Sequence, residues 1–75
     1  MDIFAKREKM LREELKFTIE DVSRGTGLTT AAISRYENGL RTPNASTLSS
    51  FCLFYNVSAD YLIGLVDGKN EKYGK

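Results

Sequence analysis

Apolar residues recur along this chain at helical spacing, and nowhere with the strict alternation of a half-buried strand. From Asp2 to about Leu15, Phe4, Leu11 and Leu15 fall at that spacing between Lys, Arg and Glu, which predicts an amphipathic first helix with a narrow buried stripe. Thr18 is a good N-cap, because its hydroxyl accepts from the free amides of the next turn, and Glu20 and Asp21 set negative charge at the positive end of the helix dipole. A second helix is therefore predicted from Ile19 through Val22, stopping near Gly25-Thr26-Gly27, where two glycines weaken the helix and one can adopt the left-handed conformation. Leu28 then points inward, and Thr29 caps a third helix from Thr30 to about Asn38 that ends at Gly39, with Ile33 and Tyr36 on its inner face. Pro43 and Asn44 break the chain and cap a fourth helix, Ala45 to about Tyr55, with Leu48, Phe51, Cys52 and Tyr55 on one side. Ser58 caps a fifth, from Ala59 to about Leu65, burying Leu62 and Leu65.

The expected fold class is all-α: one five-helix domain over residues 1–66, followed by a short polar tail, residues 67–75, whose two glycines favour fraying. Within it, Thr18 to Gly39 describes two short helices joined by a tight glycine-containing turn, the outline of a helix-turn-helix. Thr30, Ala31, Ser34 and Arg35 project from the third helix opposite Ile33 and Tyr36. Side chains that are mostly small let a helix backbone come close to another surface.

Composition narrows the class. A chain of 75 residues closes one core but not a core plus a separate ligand pocket, and 41% hydrophobic with 28% charged residues is ordinary for a globular protein. The N-terminus becomes charged before any apolar run suited to a signal peptide, and no segment approaches the ~20 apolar residues of a membrane span, so a cytoplasmic location is expected. Cys52 lies in an apolar run with no second cysteine and no histidine in the chain, which predicts a buried, inert thiol and no metal. There is also no Gly-rich phosphate loop and no nucleophile beside a base, so neither an enzyme nor a cofactor nor a small-molecule substrate is expected. The net charge of +1 is low for a nucleic-acid binder, yet the segment from Ser34 to Asn44 holds Arg35 and Arg41 against Glu37 alone.

Five blocks in order carry a resemblance: Phe17-Thr18, Gly27-Leu28-Thr29, Ile33 to Gly39, the Arg41 to Pro43 corner, and Asn56 to Leu62. From about Phe4 to Leu65 the chain resembles the phage-repressor type of helix-turn-helix, the xenobiotic-response-element family of bacterial regulators. The resemblance implies a lambda-repressor-like DNA-binding domain whose third helix enters the major groove. The base-reading positions it implies are Thr30, Ala31, Ser34 and Arg35, where Arg35 can donate two parallel hydrogen bonds to guanine and Ala31 or the Thr30 methyl can meet a thymine methyl. The implied phosphate-binding positions are Thr18, Thr29, Asn38, Arg41, Thr42 and Asn44, with pure capping as the competing role of Thr18 and Asn44. Arg12 and Glu37 stand where relatives form an ion pair between the first helix and the end of the third.

Four positions depart from the family pattern. Glu8 replaces a Leu on the inner face of the first helix and is expected to lean outward or meet a cation; Lys16 replaces a helix-ending Gly; Ile19 and Thr30 replace glutamines. Leu53, Phe54 and Ile63 lie off the main inner faces and either complete the core or form a self-association patch. The function implied is a sequence-specific transcriptional regulator of double-stranded DNA, a repressor from a phage or mobile element, acting as a homodimer on an operator. An antitoxin or restriction controller would share these residues. A protein-interaction module on the same scaffold is the alternative that low net charge favours, and salt-dependent binding to duplex DNA separates the two.

Overall fold

The computed structural model describes residues 2–74, and five α-helices carry the fold among them: α1 (Ile3–Glu14), α2 (Ile19–Thr26), α3 (Thr30–Glu37), α4 (Ala45–Tyr55) and α5 (Ala59–Leu62). Each helix begins on a short polar side chain that accepts from an otherwise unpaired amide of its first turn. Asp2 takes Ala5 N at 2.8 Å, Thr18 takes Asp21 N at 3.0 Å, Thr29 takes Ala32 N at 3.0 Å, Asn44 takes Thr47 N at 2.8 Å and Ser58 takes Tyr61 N at 3.0 Å.

Every helix is followed by a left-handed residue: Lys16 (φ 60°) after α1, Gly27 (φ 80°) after α2, Gly39 (φ 71°) after α3, Asn56 (φ 58°) after α4 and Gly64 (φ 90°) after α5. After α1 the amides of Lys16 and Phe17 fold back on the last turn, Lys16 N to Glu13 O and Phe17 N to Arg12 O.

Packing follows from these ends. Helices α2 and α3 pack on one another, α1 lies against α3 and α5, and α4 closes the core against α2 and α5. Phe4, Leu11, Val22, Ile33, Tyr36, Phe51, Tyr55, Val57, Tyr61 and Leu62 form one buried cluster. At its centre Phe4, Tyr36 and Phe51 meet edge to face, with ring centroids 5.4 to 6.1 Å apart.

Several expectations are corrected. Leu15 is exposed, because the left-handed turn at Lys16 ends α1 there and brings Phe17 inward instead, 5.2 Å from the Phe54 ring. Leu65 is exposed too: α5 stops at Leu62, and the reversal at Gly64 carries the chain away, while Val57 and Val66 fill the space. Gly25 is not a helix stop. It lies inside α2, where a Cβ would clash with the Phe54 ring, and Gly27 (φ 80°) alone makes the left-handed turn.

Phe54 therefore completes the core, whereas Leu53 and Ile63 stay exposed. Cys52 is half-buried, and that burial pushes its thiol pKa up, which keeps it protonated. Glu8 does not lean outward. It is fully buried, and Oε2 accepts from the Tyr55 hydroxyl at 2.8 Å.

The tail is tied down rather than frayed over its described part. Ser58 N donates to Lys69 O and Ser58 Oγ to Glu71 O, both at 2.8 Å; Tyr73 N donates to Asp60 at 2.8 Å; and Lys69 pairs with Glu14 at 3.0 Å. Arg7 clamps the same end. Its guanidinium donates to the carbonyls of Tyr61 and Val66 and lies over the Tyr61 ring, 4.3 Å from the centroid.

Candidate nucleic-acid interface

The turn between α2 and α3 is held by side chains as well as by Gly27. Ser23 Oγ donates to Leu28 O, Thr26 Oγ1 donates to Val22 O at 2.7 Å, and Leu28 N donates to Thr26 Oγ1 at 3.2 Å. At the head of α2 the cap is reciprocal: Thr18 accepts from Asp21 N while Asp21 accepts from Thr18 N at 2.9 Å. That backbone donor, with the Thr18 hydroxyl and Arg24, holds the Asp21 carboxyl below its ordinary pKa.

Helix α3 divides into two faces. Ile33, Tyr36 and Glu37 are buried against α1 and α2, whereas Thr30, Ala31 and Arg35 are exposed and Ser34 is half-buried. The four base-reading candidates thus lie on one side of one helix, and nothing among the described residues covers it. Asn38, at the end of that face, donates to Ser34 O at 2.8 Å and caps α3 with its own amide.

The phosphate candidates flank this face. Thr18 and Thr29 open α2 and α3, Arg41 and Thr42 lie exposed in the loop after Gly39, and Asn44 opens α4. The Arg41 guanidinium lies 5.9 Å from the centroid of the Tyr36 ring. Capping does not exhaust Thr29 or Asn44: it uses an oxygen as acceptor in each case and leaves the Thr29 hydroxyl proton and the Asn44 amide N–H₂ free to donate outward.

Charge at this surface differs from the count along the chain. Glu37, the one acid from Ser34 to Asn44, is only 5% exposed and is held by Arg12 through Nε to Oε2 at 2.7 Å and Nη2 to Oε1 at 3.0 Å. The same guanidinium donates to Phe17 O at 3.1 Å, and its pairing with Glu37 raises its pKa further. Arg35 and Arg41, by contrast, form no ion pair among the described residues. The exposed charge of this stretch is therefore positive, suited to a polyanion. Composition and periodicity do not show this burial; the expected Arg12–Glu37 pair was the only pointer to it.

No group of His, Cys, Asp and Glu suited to a metal occurs among the described residues, and no helix there is long and apolar enough to cross a membrane.

Comparison with known proteins follows the same lines. The helix-turn-helix family profile matches residues 9–62. The HTH-type transcriptional regulator ImmR of Bacillus subtilis (strain 168) is 35% identical over 68 residues, which cover 88% of this chain and 54% of that protein. The uncharacterized HTH-type transcriptional regulator YobD of the same organism is 29% identical over 70 residues, covering 93% of this chain and 62% of that protein. The chain thus spans between half and two thirds of the length of these curated relatives. Among solved structures, the P22 c2 repressor in complex with a synthetic operator superposes with a TM-score of 0.79 at 25% identity, covering 85% of this chain and 97% of that one. The N-terminal DNA-binding domain of SinR from Bacillus subtilis gives 0.76 at 18% identity, covering 97% of each, a likeness of fold.

Proposed function

Because the chain belongs to the helix-turn-helix family of the phage-repressor, or xenobiotic-response-element, type, we propose that it is a DNA-binding transcriptional repressor reading operator DNA with α3 in the major groove. The observation that carries this reading is the uncovered face of Thr30, Ala31, Ser34 and Arg35, where neither Arg35 nor the nearby Arg41 has an acidic partner among the described residues. In this reading Arg35 takes a guanine edge, Thr30 and Ala31 meet thymine methyls, and Ser34 approaches a base edge or sugar. Thr18, Thr29, Asn38, Arg41, Thr42 and Asn44 hold phosphates on either side and set the register of the helix.

A single α3 spans only a few base pairs, so the protein works as a homodimer on half-sites about 34 Å apart, where linked binding raises affinity. The exposed Leu53 and Ile63 are available to such a contact. The protein acts in the cytoplasm without catalysis, cofactor or small-molecule substrate, and its likeness to the P22 c2 repressor supports an origin in a phage or mobile element.

The test is binding of Arg35→Ala to sites selected from a random duplex pool. The variant is expected to lose about 1 to 3 kcal/mol on the preferred site and to relax one base position, while Arg41→Ala weakens all sequences alike. Equal loss by Arg35→Ala on selected and random DNA removes Arg35 from the reading set.

A further inference from the structure

Two acidic side chains lie in the core, Glu37 nearly and Glu8 wholly buried, and they are neighbours. Both oxygens of Glu37 are engaged by Arg12. Glu8 has Oε2 on the Tyr55 hydroxyl, but Oε1, equally buried, has no donor among the described residues. The neighbouring Glu37 carboxylate offers it only another acceptor. One guanidinium does not balance two buried carboxylates, and a buried acceptor beside an acceptor is repulsive. A proton on Oε1 removes both difficulties.

We propose that Glu8 is the neutral acid in the folded protein, its Oε1–H donating to Glu37, so that a Tyr55–Glu8–Glu37–Arg12 chain of hydrogen bonds positions the C-terminal end of α3. The chain ties α4 to α1 and α1 to α3 through one mobile proton. Its groups are Glu37 from α3, Tyr55 from α4 and Arg12 from α1 itself; α5, also packed on α1, meets Arg7 through Tyr61 and sets no charge on Glu8. Desolvation and Glu37 push the Glu8 carboxyl up to about 8, against the opposing pull of the Tyr55 donor and Arg12.

The sign of the linkage follows. The unfolded chain releases this proton near 4.5 and the folded chain holds it to about 8, so the folded state binds one proton more between those values. Stability from this group is full below the lower value and falls as pH rises toward the upper one, the folding constant dropping about tenfold per pH unit, and it is flat beyond.

The proton's position is tested directly by carbon NMR of the Glu8 carboxyl in the wild-type chain, and its effect by urea melts of wild type and Glu8→Gln from about pH 5 to pH 9. Gln supplies the same donor to Glu37 and the same acceptor to Tyr55 without ionising. Glu8 is expected to titrate near 8, wild type to lose stability through the window, and Glu8→Gln to stay flat. Tyr55→Phe, lacking the donor that favours the charged form, should titrate still higher. A Glu8 carboxyl titrating in the ordinary range, or parallel curves for wild type and Glu8→Gln, overturns the proposal. Its positioning half rests on α3 being the DNA-reading helix: duplex affinity should fall toward pH 9 in wild type but not in Glu8→Gln, and unchanged affinity alongside the stability slope sinks that half alone.

Discussion

Arg12→Ala tests what holds α3 in place. The side chain makes three hydrogen bonds, two to the Glu37 carboxylate and one to the Phe17 carbonyl, and Glu37 is 5% exposed. Truncation leaves that carboxylate in the core with no cation and leaves the Phe17 carbonyl short of a donor. Removing one partner of a buried pair costs about 3 to 5 kcal/mol. A domain of this length has about 4 to 11 kcal/mol in all, so the variant loses between a quarter of its stability and the whole of it. Thermal melts followed by circular dichroism should shift down by at least about 12 °C.

Arg12→Lys should fall between, since an ammonium lacks the planar fork that meets both carboxylate oxygens. If Arg12→Ala melts within a few degrees of wild type yet loses DNA affinity, Arg12 is a DNA contact, and the ion pair contributes little to folding.

Two further substitutions probe the turns that set the helices. Lys16→Gly should stabilise by about 1 kcal/mol in urea melts, because Lys16 occupies the left-handed region (φ 60°) where a Cβ is penalised and the exposed side chain packs on little; a loss would mean that the Lys16 side chain does more than turn the chain. Gly25→Ala should destabilise by about 1 to 3 kcal/mol through the clash with Phe54, although alanine is the better helix former. A stabilised Gly25→Ala would show that the Phe54 ring moves aside freely.

Local chemistry made the helices legible. Thr18, Thr29, Asn44 and Ser58 precede apolar residues at helical spacing, and each caps the helix expected of it. What escaped was decided by tertiary contacts. Leu15 and Leu65 continue the helical spacing, but left-handed turns at Lys16 and Gly64 end the helices around them. Gly25 reads as a breaker until Phe54, far along the chain, occupies the space a Cβ would need. Glu8 sits at inner-face spacing from Phe4 and Leu11, and only its charge argued for an outward path. Its partner Tyr55, on the inner face of α4, was the available signal: a hydroxyl carried into a core needs a polar group to meet.

The candidate interface was legible in position but not in charge. The outward residues of α3 follow from helical spacing once Ile33 and Tyr36 are placed inside, and the structure exposes Thr30, Ala31 and Arg35 accordingly. The net charge of +1, which counted against a DNA partner, averages over charges that the fold separates. Arg7 and Lys69 are engaged with Asp67 and Glu14, Arg24 with Asp21, and Arg12 with Glu37 in the core, whereas Arg35 and Arg41 are exposed and form no ion pair among the described residues. Withdrawing Glu37 thus serves two ends at once: it anchors the last residue of α3 and clears negative charge from the surface beside it. A polyanion meeting that surface senses two free cations, and the length of its approach path is set by screening, so any affinity of this domain for duplex DNA should decline steeply with added salt despite the near-neutral chain.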